Sequence, residues 1–260
     1  DLVARLQGYL RYRARENHDV VVRPPFTLFL HPEDISTDAS YAIPDAPSAG
    51  RAPDVGVRLR AAFAERRRKA CIRFLAEYAP ALAPALRAAG FAEAERLQVM
   101  ACTPGGYCLP PDVPGLRVLT LSATSPRAEL RECLEVNTLG FDPVPVPVTE
   151  GAIEDYCRRL GAGSAFLARL EGRAVAVATC REAHAGVTEL VGITTIMPYR
   201  RRGIGAALTA YAACTAFASG AEIVFLIAAH EAASRVYGRV GFAPCATLLE
   251  YIDRACGQRN

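Results

Sequence analysis

The sequence predicts an α/β protein: a mixed central β-sheet flanked by helices, arranged as two related α/β domains. Three observations lead there. Short apolar runs alternate with helical segments through the C-terminal half, joined by short loops. One of those runs, Val187–Met197, passes through a tight turn straight into the long apolar segment 203–219. The Gly/Pro-rich stretch 103–116 breaks the chain near its middle, dividing it into expected domains at 1–110 and 115–260.

The elements follow in order. Residues 1–16 place Leu2, Leu6, Tyr9 and Leu10 at helical spacing, and Asp19–Leu30 is expected to be extended, bent at Pro24 and Pro25. Residues 42–56, rich in Pro, Ala, Ser and Gly, are expected as a long exposed loop. A helix over 58–69, a strand over 71–78, a short helix over 80–89 and a strand over 97–103 complete the first half. In the second half, strands are expected at 116–123, 164–170, 174–180, 187–197, 222–229 and 246–252. Helices are expected at 127–136, 150–160, 203–219 and 231–240, with an extended connector at 143–149 and a hairpin turn at Glu171-Gly172-Arg173.

Composition narrows the function classes. No apolar run is long enough to span a bilayer, and the mixed charges of residues 1–17 do not form a cleavable leader, so a cytoplasmic protein is expected. A net charge of +3 is too mild to announce nucleic-acid binding. The basic residues are almost all arginine, Lys69 being the one lysine, which codon bias explains. Nine cysteines without a CxxC pair argue against a disulfide framework or a zinc site, and are expected as reduced, partly buried side chains. His18, His31 and His184 lack ligand spacing, so no metal is expected. The run Glu65–Lys69 suits a solvated helix end.

The segment Thr194 to Leu208, TTIMPYRRRGIGAAL, carries the chemistry. A helix N-terminus leaves backbone N–H groups unpartnered and adds partial positive charge, which suits a phosphate or pyrophosphate. Gly203 and Gly205 lack a Cβ, so an anion can approach the backbone closely, and Arg200, Arg201 and Arg202 add charge nearby. The run Arg200-x-x-Gly203-x-Gly205, after a strand and before a helix, resembles the pyrophosphate signature of the GCN5-related N-acetyltransferases. A second stretch, from His230 to Phe242, resembles that family's next helix, with Ala233, Tyr237, Gly241 and Phe242 in register. The resemblance covers about residues 115–252.

The resemblance implies acetyl-CoA, or another acyl-CoA, as donor, and direct transfer of a short acyl group to an amine. It implies that Arg200, Arg201, Arg202, Gly203, Ile204, Gly205 and Ala206 hold the pyrophosphate, and that Ile193, Thr194, Thr195 and Ile196 border the pantetheine arm. An N–H of that strand would polarise the thioester carbonyl. Tyr237 would protonate the leaving thiolate, the alternative being a core tyrosine. Glu189, sixteen residues before Gly205, would be the general base, its pKa raised by partial burial, the alternative being an exposed residue at the strand's beginning. His230 replaces the family's usual Asn, leaving it to cap the helix, contact the coenzyme or face solvent. The acceptor, a small-molecule amine or a peptide, would be shaped by loops 137–149 and 181–187; nucleic-acid and membrane partners are not expected. Two other readings are an aminoacyl-tRNA-dependent transferase and a non-catalytic acyl-CoA sensor. The segment 79–91 echoes 232–242, each a short helix ended by Gly-Phe, which suggests a degenerate N-terminal copy without the coenzyme turn.

Overall fold

The computed structural model describes residues 1–34, 36, 39–109, 111–142, 144 and 146–254. Pro110, Pro143 and Pro145, which belong to the expected breaks, lie outside the described residues, as does Cys256. Along the chain the elements are α1 (Leu2–Ala14), β1 (Asp19–Arg23), β2 (Phe26–Leu30), β3 (Tyr41–Pro44), α2 (Val55–Ala64), β4 (Cys71–Leu75), α3 (Leu82–Ala88) and β5 (Phe91–Cys102). Then come β6 (Leu116–Leu121), α4 (Arg127–Phe141), α5 (Glu150–Leu160), β7 (Ser164–Leu170), β8 (Arg173–Cys180) and β9 (Val187–Thr195). The chain finishes with α6 (Ile204–Ala218), β10 (Ile223–Ala228), α7 (Glu231–Gly238) and β11 (Ala243–Asp253).

Two units result: Asp1–Val99 with the segment from Cys245 onward, and Met100–Pro244. In the first, the strand order is β1-β2-β3-β4-β11-β5, with β3 and β4 parallel and β4 and β11 antiparallel. Its core is built on Phe26, Leu28, Phe63, Ile72, Phe74 and Tyr251, all buried. In the second, the order is β10-β9-β8-β7-β6, antiparallel from β6 to β9 and parallel between β9 and β10. Both units are therefore mixed α/β, as the alternating pattern predicts.

Local chemistry explains the elements. The β7–β8 connection is a hairpin turn as expected, but of two residues because Arg173 already belongs to β8: Glu171 and Gly172 both stand at positive φ, the combination that matches strand twist in a tight hairpin. Thr149 opens α5 by accepting a hydrogen bond from the Ala152 amide at 3.2 Å. Helix α6 is apolar on nearly every side, and the fold buries it accordingly: Ile204, Ala206, Leu208, Ala210, Ala213 and Ala216 all belong to the second unit's core. The loop after β5 supplies further cover, Tyr107 meeting Phe217 edge-on at 6.4 Å.

Four expectations are corrected. Residues 42–56 are not an exposed loop: Ala42 and Ile43 are buried in β3, and Pro47–Arg51 form a 3-10 turn. Gly50 makes this possible, because a Cβ there would stand 2.4 Å from the Ala81 and Leu82 backbone. Helix α2 stops at Ala64, so Glu65–Lys69 is the turn that follows it, in which Arg68 donates to the His31 carbonyl. Strand β5 begins six residues before the expected Leu97. The last strand, expected in the second domain, belongs to the first unit: Leu249 and Tyr251 are buried in that core, and Glu77 accepts hydrogen bonds from the Thr247 amide and hydroxyl. The Gly-Phe echo persists locally, since Gly90 and Gly241 both have positive φ and precede a buried phenylalanine.

Helix α4 extends five residues beyond the expected Val136, keeping Leu130, Cys133, Val136 and Gly140 on its buried face. At Gly140 it rests directly on β9: a Cβ there would lie 2.3 Å from the Thr194 side chain. Gly140→Ala should therefore destabilise the fold by about 1–3 kcal/mol, the range for overpacking a filled contact, measured by chemical denaturation. A fully stable variant would contradict this packing. The thiols give a second test. Burial pushes Cys102 and Cys133 up to about 11, and Cys71 and Cys180 are buried too, whereas Cys108 and Cys214 are exposed. In the native protein, timed alkylation read by peptide mass spectrometry should label Cys108 and Cys214 first and the four buried thiols only on unfolding.

Candidate functional site

Strands β9 and β10 pair over three residues only, Val187 with Ile223, Thr188 with Val224 and Glu189 with Phe225. Both strands continue past that point, β9 to Thr195 and β10 to Ala228, so they part there. On its other side β9 stays paired to β8, with one irregularity: Thr194 faces Val177 and Val191 faces Thr179, which leaves Gly192 and Ile193 opposite Ala178 alone. This is a β-bulge, and Gly192 adopts the positive φ (62°) that a bulge accepts most readily from glycine.

Beyond β9 the chain turns through Met197–Tyr199 into the arginine run. Arg201 and Gly203 both have positive φ (67° and 79°), and Gly203 caps α6. The first amide bonded back along the helix is that of Ala207, to the Gly203 carbonyl at 3.0 Å. The N–H groups of Ile204, Gly205 and Ala206 therefore precede the helical ladder and point out of its end. A Cβ on Gly205 would meet only Thr195 Oγ1 at 3.8 Å and Val236 at 3.9 Å. The end of β9, the start of α6 and the middle of α7 thus converge around the bare backbone of Gly205.

The three arginines do different things. Arg200 donates from Nε to the Thr195 carbonyl at 2.8 Å and from its terminal nitrogen to the Gly140 carbonyl at 2.7 Å. Its guanidinium joins β9 to α4, so Arg200 serves the turn as a brace, with its charge turned toward carbonyls. Arg202 lies over the Tyr199 ring at 5.3 Å. Arg201 is exposed and makes no hydrogen bond or ion pair among the described residues.

His230 caps α7: its Nδ1 accepts from the Ala233 amide at 3.1 Å, which assigns the ring proton to Nε2 in the neutral form. Of the three expected roles, capping is the one the geometry displays. Tyr237, on the same helix, packs against the second unit's core with its ring 6.4 Å from Phe242. Its hydroxyl makes no hydrogen bond to a described residue, and burial alone raises its pKa above the ordinary tyrosine value.

Glu189 is the last β9 residue paired with β10, at the root of the gap. Its side chain is only 12% exposed, so it is not a solvated strand end. It forms an ion pair with Arg181 at 3.5 Å that lacks hydrogen-bond alignment. The sequence reading did not supply this partner, which lies at the start of the expected acceptor loop 181–187. No hydrogen bond joins Glu189 to Tyr237. Ile193 packs on the core, Thr194 is buried under Gly140, and Ile196 donates its amide to the Val175 carbonyl at 3.0 Å.

Two residues of the site went unnoticed in the sequence. Asn137 donates from Nδ2 to the Gly192 carbonyl at 3.3 Å, and Gly140 accepts from Arg200. The available signal was the buried-face spacing of α4, which continues through both positions. Among the described residues no group of three or more His, Cys, Asp and Glu side chains is arranged to hold a metal. No helix among them is long and apolar enough to cross a membrane.

Comparison with known proteins agrees with this geometry. Residues 130–242 match the family model of the acetyltransferase (GNAT) family. A GCN5-related N-acetyltransferase from Kribbella flavida is 27% identical, with a TM-score of 0.77 over 97% of this chain and 96% of its own. One from Sphaerobacter thermophilus has a TM-score of 0.64 at 16% identity, over 96% of this chain and 89% of its own. A tandem GNAT protein from the clavulanic acid biosynthesis pathway has a TM-score of 0.63 at 12% identity, over 90% of this chain and 79% of its own. No curated protein matches the sequence. The signature turn, the parted strands and the tyrosine-bearing helix all lie inside the matched segment, so residues 130–242 carry a domain of the acetyltransferase (GNAT) family.

Proposed function

We propose that the second unit transfers an acetyl or other short acyl group from coenzyme A to an amine, directly and without an acyl-enzyme intermediate. The observation that carries this reading is the convergence of β9, α6 and α7 around Gly205, beside a gap lined by unpaired strand backbone. The family resemblance and the fold support it. The residues fit the donor: the N–H groups of Ile204, Gly205 and Ala206 suit a pyrophosphate, and the space at Gly205 lets it reach them.

In the proposed reaction the amine nitrogen attacks the thioester carbonyl carbon, the carbon–sulfur bond breaks, and an amide and a thiol result. Tyr237 gives its proton to the departing thiolate. Desolvation suits it to this role, because a buried phenol keeps its proton at neutral pH. Glu189 takes the proton lost by the amine, directly or through a water. The acceptor is a small amine or a peptide.

Two measurements test this reading. Calorimetric titration with acetyl-CoA should show binding to the wild type and its loss in Gly205→Glu. Gly205 is preferred to Gly203, whose positive φ would strain any replacement. A wild type that binds no acetyl-CoA would overturn the donor. Once an acceptor is found in an amine screen, Tyr237→Phe should lower kcat about 100-fold at unchanged affinity for acetyl-CoA, the scale of lost acid catalysis. The wild-type rate should not fall through Tyr237 ionisation until the pH passes the ordinary tyrosine value of about 10, since burial raises that pKa. A sensor, by contrast, would bind acetyl-CoA and show no turnover with any amine.

A further inference from the structure

We infer that Asn137 is a positioning residue: by holding the Gly192 carbonyl it aims the Ile193 N–H at the acyl donor. The inference rests on the acyl-CoA reading and assigns the carbonyl-polarising group within it.

Successive side chains of a strand point to opposite faces of the sheet. The Thr194 side chain lies under Gly140 of α4, and the Thr195 hydroxyl stands closest to Gly205 of α6. Helices α4 and α6 therefore cover opposite faces of β9. The Gly192 carbonyl points to the α4 face, where it accepts from Asn137 at 3.3 Å. The Gly192 carbonyl and the Ile193 N–H belong to one trans peptide plane, and in such a plane they point in opposite directions. With the carbonyl fixed toward α4, the Ile193 N–H is directed to the face of α6 and its open N-terminus. The bulge frees this peptide from the regular β8 ladder, because Gly192 and Ile193 share a single partner residue.

The rest of the α4 terminus keeps Asn137 in place. Arg200 ties the Gly140 carbonyl to that of Thr195, and Gly140 lies flush on Thr194. Three contacts thus fasten one helical turn to three strand residues, Gly192, Thr194 and Thr195. A buried donor aimed at a carbonyl that gains negative charge stabilises the transition state more than the ground state, provided that it cannot swing away. Asn137 supplies that restraint without touching the substrate.

The test requires no known acceptor. Acetyl-CoA labelled with carbon-13 at the thioester carbonyl is bound to the wild type, to Asn137→Ala and to Asn137→Asp, and the carbonyl stretch is read by difference infrared spectroscopy. Asn137→Asp keeps the size of the side chain while removing the donor, which guards against a folding failure in the alanine variant. The wild-type band should move to lower frequency on binding, and both variants should lose most of that displacement while binding acetyl-CoA within about twofold of wild type, since the contact affected is one among many. With an acceptor, kcat should fall about tenfold, less than deleting a donor outright. An equal displacement in wild type and variants would overturn the inference, as would a loss of affinity in step with the loss of displacement. A wild type that binds acetyl-CoA without displacement overturns the inference alone; one that does not bind at all overturns the donor reading with it.

Discussion

The site depends on the early parting of two parallel strands. Backbone N–H and C=O groups are obligatory hydrogen-bonding groups, and a strand interior that abandons its neighbour must find other partners or solvent. β9 does so for the six residues after Glu189, while its opposite edge stays laced to β8. The parted edge is thereby an opening lined with backbone polar groups. Everything nearby either holds that edge in shape or uses it: the bulge at Gly192, the last turn of α4, the Arg200 brace and the bare helix end at Gly205.

Such an edge is stable only if its supports are rigid, and the supports here are apolar as well as polar. α6 is buried from its first turn, so its N-terminal amides are anchored by the hydrophobic core of the unit rather than by an N-cap side chain. α7 is the opposite case. It is short, has no fully buried residue, and relies on its His230 cap and on the packing of Val236 and Tyr237. The helix that would hold the donor's charge is thus fixed by burial. The helix that would deliver a proton is fixed by its cap and two side chains.

Much of this was legible in the sequence because single residues decide it. Arg200-x-x-Gly203-x-Gly205 announces a turn that opens a helix, since Gly203 takes a backbone angle that few other residues tolerate. An apolar segment with no polar face announces a buried helix. What stayed illegible were contacts set by residues distant in sequence. Arg200 looks like an anion ligand until Gly140, sixty residues earlier, is seen to accept from it. Glu189 looks like a strand-end carboxylate until Arg181 folds back beside it. Residues 42–56 look like a loop because small residues and prolines also mark loops, yet Gly50 is small in order to touch α3.

The allocation of β11 bears on how the protein is made. Residues 1–99 emerge from the ribosome before residues 100–244, but their sheet takes its strand between β4 and β5 from β11, which follows both. Until residues 245–253 have been made, Ile72, Phe74 and Phe91 lack the Leu249 and Tyr251 side chains that close their core. The first unit is therefore begun before the second and finished after it, exposing apolar surface throughout the interval. The segment carrying the candidate site, 100–244, is continuous and can fold within that wait.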